Sequence, residues 1–225
     1  VWQDRRTSNY CDNLNQEHPD DYFKEKTGLT INPYFSASKM NWLLGNSDHV
    51  KSALQKENLL FGTIDTFLIY KLTGRISHVT EPSNASRTLL MNLRTSSWDE
   101  ELLNIFNIPV DTLPKIEDSF GEFGVTSGLS FLPDGIPITG VLGDQQSALF
   151  GQAGVNKGDM KCTYGTGAFM LVNSGEDIIN SKNGLLSTVA YMENGKCVYA
   201  LEGSSYIAGA AVQWLRDNLK IIETA

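Results

Sequence analysis

Two short stretches of this sequence hold residue types that could do chemistry. The first is Gly143-Asp144-Gln145-Gln146, a carboxylate followed by two amides. It comes directly after Ile136-Pro137-Ile138-Thr139-Gly140-Val141-Leu142, which reads as a short buried strand ending at Gly143. Open α/β sheets place ligand crevices at the carboxyl ends of their strands, so Asp144 is a candidate general base. Asp is also a preferred N-cap, and Gln145 to Phe150 reads as the start of a helix, so capping is an equal alternative. The roles are compatible, because a helix N-terminus favours a carboxylate or a substrate anion. The second stretch is Tyr164-Gly165-Thr166-Gly167-Ala168-Phe169, two glycines flanking a hydroxyl. Glycines let backbone N–H groups approach a phosphate with no Cβ in the way. The stretch lacks both the Gly-Lys-Ser/Thr ending of a P-loop and the spacing of a dinucleotide fingerprint, so a plain hairpin turn is the competing explanation.

The remaining reactive side chains point to no further centre. His18, His49 and His78 are widely separated in polar surroundings and read as surface or turn residues. Cys11, Cys162 and Cys197 form no C-x-x-C pair and have no histidine beside them, so neither a disulfide framework nor a zinc site is specified. A reducing, cytoplasmic setting is expected. With 18 Lys and Arg against 26 Asp and Glu, the net charge of −8 disfavours nucleic acid and anionic lipid as partners. A hydrophobic share of 41% in 225 residues is enough to bury a core. No apolar run reaches the roughly 18 residues that span a bilayer, so no membrane insertion is expected.

Two kinds of element must position these stretches. Up to about residue 107 the chain reads as helices and turns. One helix covers Ser38 to Leu44, another runs Thr63 to Leu72 with its start marked by Thr63 and Asp65, and Ser97 is a cap for a third over Trp98 to Phe106. Trp42 and Trp98 then lie on helical faces and belong to the core. Gly121 to Gly135 reads as turns. Beyond Gln152 the pattern changes to hairpins. Met160–Tyr164 and Ala168–Asn173 flank Gly165-Thr166-Gly167, while Ser187–Glu193 and Lys196–Glu202 flank Asn194-Gly195, the strongest short hairpin signal. Ser204 or Ser205 is then a cap for a helix through Leu219, with Ile207, Ala211, Trp214 and Leu215 on one face. The change near Ala153 divides the chain into residues 1–152 and 153–225.

Read in order, further segments carry a resemblance. They are Val1-Trp2-Gln3-Asp4-Arg5-Arg6-Thr7, Pro33-Tyr34-Phe35-Ser36, Phe61-Gly62-Thr63-Ile64-Asp65-Thr66 and Asn84-Ala85-Ser86-Arg87-Thr88, followed by Gly143-Asp144-Gln145-Gln146 and Tyr164-Gly165-Thr166-Gly167. Ala200-Leu201-Glu202-Gly203-Ser204, Ala208-Gly209-Ala210 and Gln213-Trp214-Leu215-Arg216-Asp217 complete the set. Together they resemble the FGGY family of carbohydrate kinases, and within it the members that act on glycerol, over essentially the whole chain.

The resemblance implies an α/β protein of the actin-like ATPase (ribonuclease H-like) fold, with glycerol and ATP meeting between two domains. Residues 1–152 would be the later part of the substrate-binding N-terminal domain, and residues 153–225 the first part of the ATP-binding C-terminal domain. The chain would therefore be a piece of about half the enzyme, inactive alone. The family's first phosphate-binding hairpin, its magnesium-associated Asp and an Arg-Glu pair that grips glycerol would lie outside it. The implied reaction is ATP- and Mg²⁺-dependent phosphorylation of glycerol to sn-glycerol 3-phosphate in a cytoplasmic homo-oligomer.

Carried over by position, Trp2 and Phe169 would be apolar walls, Tyr34 a hydroxyl partner, and Asp144 with Gln145 the polar floor, Asp144 being the base. Thr166 with Gly165 and Gly167 would meet the phosphates, and Gly209 and Gln213 would line the ATP channel. No metal ligand is assigned within these residues. The alternatives are an FGGY kinase for another polyol or sugar, such as xylulose or erythritol, and a non-catalytic fragment. The narrow slot implied between Trp2 and Phe169 favours a three-carbon chain.

Overall fold

The computed structural model describes residues 4–19 and 21–224. Its first part is helical: α1 (Ser8–Glu17), α2 (Tyr22–Thr27), α3 (Ser36–Asn46), α4 (Asp48–Gln55) and α5 (Ile64–Leu72). Short pieces follow, in the order β1 (Val79–Thr80), α6 (Pro82–Ala85), β2 (Met91–Asn92), β3 (Ser97–Trp98) and α7 (Glu100–Ile105). Phe23, Leu29, Phe35, Met40, Leu90, Leu102 and Phe106 form the centre of the helical core. Burying side chains of this size stabilises by about 1.5–3 kcal/mol each. The start of α5 is fixed by Asp65, which is buried and accepts hydrogen bonds from the hydroxyls of Thr63 and Thr80, so that α5 is tied to β1.

Four local expectations are corrected. The cap of α7 is Asp99, whose Oδ1 accepts from Glu101 N and Leu102 N, while Ser97 and Trp98 form β3 instead. Asp wins because its carboxylate reaches both free N–H groups of the first turn. Trp98 is accordingly on a strand, its Nε1 donating to Pro114 O at 2.9 Å, whereas Trp42 does sit on α3. After β4 (Lys115–Ile116), the glycine-containing run around Gly121 is not all turn. It forms β5 (Phe120–Val125), which pairs antiparallel with β6 (Pro137–Gly140) across an irregular register. Gly124, at φ +127°, takes the conformation that a bulge needs. The run expected as a buried strand is thus partly β6, and it is exposed, because among the described residues only β5 pairs with it.

Beyond α8 (Asp144–Gly151) come β7 (Met160–Tyr164), β8 (Ala168–Gly175), β9 (Leu186–Glu193) and β10 (Lys196–Ser205), forming one antiparallel sheet in the order β7-β8-β10-β9. Both hairpins have the expected turns, and Asn194 and Gly195 carry the positive φ values of a type I′ turn. Ser204 and Ser205 do not cap a helix; they are the last residues of β10. The final helix is α9 (Gly209–Asp217), with Ala208 at its N-cap position. The expected apolar face is open, with Ile207 and Trp214 exposed.

This sheet packs directly on the helical part. Ala85, Met91 and Leu93 share a core cluster with Val189 and Tyr199. Gly28 makes the approach possible: at φ +72° it ends α2, and a Cβ there would lie 2.3 Å from Ser187 O. The joint converges on Glu81, fully buried at the start of α6. Its carboxylate accepts from Ser83 N and Oγ, Asn84 N and Nδ2, and Ser119 Oγ. Ser83 Oγ in turn accepts from Gly143 N, just before α8, and Ser119 Oγ accepts from Met192 N on β9.

Burial pushes the Glu81 carboxyl above its ordinary value, against the pull of these hydrogen bonds. Glu81→Gln would turn an amide N–H₂ toward donors and should destabilise the fold by about 2 kcal/mol, lowering Tm by several degrees. The folded state holds the Glu81 proton more tightly than the unfolded chain does. The wild-type advantage should therefore be widest below the ordinary glutamate range and narrow as pH rises through the raised value. Melting both proteins across pH checks it; a gap that widens with pH would contradict the assignment.

Candidate active site

A cavity of about 570 Å³ lies where α3, α5, α8 and the sheet meet, and Tyr34, Asp144, Gln145 and Phe169 all line it. Tyr34 is placed by an Asn32-Pro33 turn, in which Asn32 Oδ1 accepts from Tyr34 N. Lys39, one turn into α3, donates to the carbonyls of Pro33 and Tyr34 and so holds the same turn from below. The Tyr34 ring lies 5.1 Å from that of Phe35 and 6.0 Å from that of Tyr206, which follows β10. Burial pushes the Tyr34 hydroxyl above its usual value, so it stays protonated and able to donate at neutral pH.

Asp144 is the first residue of α8 and is exposed to the cavity. The N-cap position is Gly143, which has no side chain, and Asp144 follows it and takes up one first-turn N–H itself. Its Oδ1 accepts from Gln145 N at 2.8 Å and its Oδ2 from Gln145 Nε2 at 3.3 Å. Gly143 has little room for a side chain, since a Cβ there would lie 2.6 Å from Gln146 Oε1. Phe169 is on β8, beside the hairpin tip, and half-buried.

Two lining residues were not singled out from sequence: Arg87 and Glu202. Arg87, just past α6, forms an ion pair with Glu202 on β10 at 2.8 Å, and Glu202 is only 4% exposed. The guanidinium also lies 5.3 Å from the Phe35 ring and 6.0 Å from that of Tyr34. The available signal was their position inside the segments Asn84–Thr88 and Ala200–Ser204, not any local pattern.

The other expected residues group around the β7–β8 tip. Gly165 and Thr166 are exposed there, and Gly167 is buried. Their carbonyls are engaged by α9: Gly209 N donates to Gly165 O, and Ala208 N and Ala210 N donate to Thr166 O. Gly209 permits the contact, because a Cβ on it would lie 2.5 Å from Gly165 O. Gly209 and Gln213 are both on α9, one turn apart, with Gln213 exposed. Trp2 lies outside the described residues.

One side of the tip is open, since a Cβ on Gly165 would meet nothing closer than 3.9 Å, and Gly165 N donates across the turn to Gly167 O. A magnesium ion is not caged by these residues. Among the described residues there is no group of three His, Cys, Asp or Glu suited to a metal, and of the cavity's carboxylates Glu202 is already paired with Arg87. Nor is any helix among them long and apolar enough to cross a membrane.

Comparison with known proteins defines the class. Residues 1–151 match the N-terminal domain of the FGGY family of carbohydrate kinases and residues 160–225 its C-terminal domain, and the chain belongs to this family. Its fold is accordingly the actin-like ATPase fold. Among curated proteins it is 52% identical over 224 residues to the glycerol kinase of Bdellovibrio bacteriovorus, covering 99% of this chain and 45% of that protein. It is 53% identical over 225 residues to the glycerol kinase of Desulforamulus reducens, with 100% and 45% covered. The chain thus spans less than half the length of these relatives. A crystal structure of Plasmodium falciparum glycerol kinase with ADP superposes with a TM-score of 0.91 at 42% identity, over 98% of this chain and 44% of that one. Xylulose kinase from Lactobacillus acidophilus shares the fold, with a TM-score of 0.79 at 22% identity over 97% of this chain and 44% of that one.

The Arg87–Glu202 pair generates a stability prediction. Arg87→Met leaves a buried carboxylate without its cation and should destabilise by about 3 kcal/mol, whereas adding Glu202→Gln should recover part of the loss. Urea unfolding midpoints of the single and double variants check this; equal midpoints for wild type and Arg87→Met would show the pair to be dispensable.

Proposed function

We propose that the protein containing this chain transfers the γ-phosphoryl group of ATP to glycerol, giving sn-glycerol 3-phosphate. In this reading the chain divides at residues 152 and 153, the first part serving the alcohol and the second the nucleotide. The observation that carries it is the cavity shared by Tyr34, Asp144, Gln145 and Phe169, which come from three segments distant in sequence. Glycerol has a carbon edge and three hydroxyls, and a site combining aromatic faces with a few fixed polar groups suits it. Phe169 and Trp2 are the apolar walls, the Tyr34 hydroxyl and the Gln145 amide hold hydroxyls, and Asp144 accepts the proton of the attacking one.

The kinase names of the relatives at 52–53% identity support ATP as the donor. Thr166, Gly165 and Gly167 at the hairpin tip would meet its phosphates, and Gly209 and Gln213 on α9 would flank it. Mg²⁺ accompanies the nucleotide and neutralises phosphate charge when bound. What these residues contribute is orientation of the alcohol and a place for its proton. The full-length protein is read as a cytoplasmic homo-oligomer, and the 225 residues alone as inactive.

Asp144→Asn in the full-length protein tests the reading. Asn keeps the shape of the side chain and an oxygen that can accept from Gln145 N, but it cannot take a proton. Turnover should fall by about 10² to 10⁴-fold while Tm moves by only a few degrees. Glycerol binding measured by calorimetry should weaken but persist. Near-normal kcat in Asp144→Asn would send the search for the base elsewhere in the cavity.

A further inference from the structure

Lys161 is a cation where a strand should hold an apolar side chain. On β7 it is the one fully buried residue of its strand, only 2% exposed. Lysine is almost never this buried unless paired. Its ammonium donates to three acceptors: Gln145 Oε1, Thr163 Oγ1 at 2.9 Å and Phe169 O at 3.5 Å. Two of these acceptors belong to residues lining the candidate site.

An ammonium has three donors and no acceptor, so only the oxygen of the Gln145 amide can face it. The amide nitrogen is thereby turned the other way, toward Asp144 Oδ2. With Gln145 N on Oδ1, both carboxylate oxygens are then held by Gln145. Were the amide free to flip, its oxygen would meet the carboxylate and repel it.

We infer that Lys161 is a positioning residue for Asp144: it fixes the orientation of the Gln145 amide, which fixes the carboxylate. Lys161 does not line the cavity, and it acts from β7 on residues at the start of α8. Burial pushes its ammonium below the usual lysine range, opposed by the carboxylates of Asp144 and Glu202. The inference rests on the reading of Asp144 as the base.

The test uses the full-length protein with Lys161→Met, Lys161→Gln, Gln145→Leu and the double variant Lys161→Met/Gln145→Leu. Lys161→Met should lower kcat for glycerol by about 10- to 100-fold, the range for misplacing a reacting group, with a smaller change in KM. Lys161→Gln, which can still donate to Gln145, should retain more turnover than Lys161→Met. The double variant should be no slower than the slower single variant, because both remove one chain of contacts. Independently of turnover, the side-chain amide NMR signal of Gln145, assigned by its loss in Gln145→Leu, should shift or broaden in Lys161→Met. Normal kcat in Lys161→Met, fully multiplicative losses in the double variant, or failure of both Lys161 variants to fold would overturn the inference. If the wild type does not phosphorylate glycerol but the amide signal responds as expected, the positioning role stands and the assignment of the reaction fails.

Discussion

A carboxylate taken out of water must be met by donors from its surroundings, and Glu81 dictates much of this architecture by that requirement. Five donors converge on it from Ser83, Asn84 and Ser119. None of them could be supplied by a loose arrangement. The two backbone donors require the tight turn of α6, and the Ser119 hydroxyl requires the chain before β5 to pass alongside. Each serine is then used twice, accepting a backbone N–H from Gly143 or from Met192. The start of α8 and the end of β9 are therefore located relative to one buried carboxyl group. Asp144 owes its place to this arrangement, one residue beyond the glycine that Ser83 holds.

Around the cavity, charge alternates in sign. Arg87 neutralises Glu202, and Lys161 lies behind Gln145 with the carboxylates of Asp144 and Glu202 in its field. Two cations and two carboxylates in a half-dry setting would each be unfavourable alone. Arg87 and Lys39 in the lining offset the carboxylates of Asp144 and Glu202, with Lys161 behind them, and of the charged residues in the lining only Asp144 is exposed. The aromatic side chains Tyr34 and Phe169 complete the lining, so apolar and charged surfaces meet across a short distance.

Sequence reading succeeded where the determinant is local. Asn194-Gly195 and the Gly165–Gly167 turn are specified by which residues tolerate positive φ or a tight reversal, and both hairpins formed as expected. It failed where several local signals compete. Ser97 and Asp99 are both acceptable caps, and only packing decides between them; the glycines of β5 read as turns because a bulged strand uses the same residue. The candidate site residues were named through the resemblance carried by the order of segments, since nothing about Tyr34 or Phe169 in isolation marks them. Lys161 and Glu81 were passed over for a physical reason. A charged residue in a strand or before a short helix is ordinarily solvated, and its burial becomes visible only when its acceptors or donors, distant in the chain, are seen around it.

The docking of α9 against the β7–β8 tip carries a consequence for motion and for descent. The tip carbonyls of Gly165 and Thr166 occupy the first N–H groups of the helix, and Gly209 has no Cβ to keep them apart. Thr166 and Gln213 are therefore parts of one lever, not two independent fingers, and any displacement of the tip carries the helix with it. In a lineage of such sequences, the residue at 209 can change only if the backbone near 165 withdraws, so the two positions are expected to evolve as a pair despite more than one intervening hairpin strand.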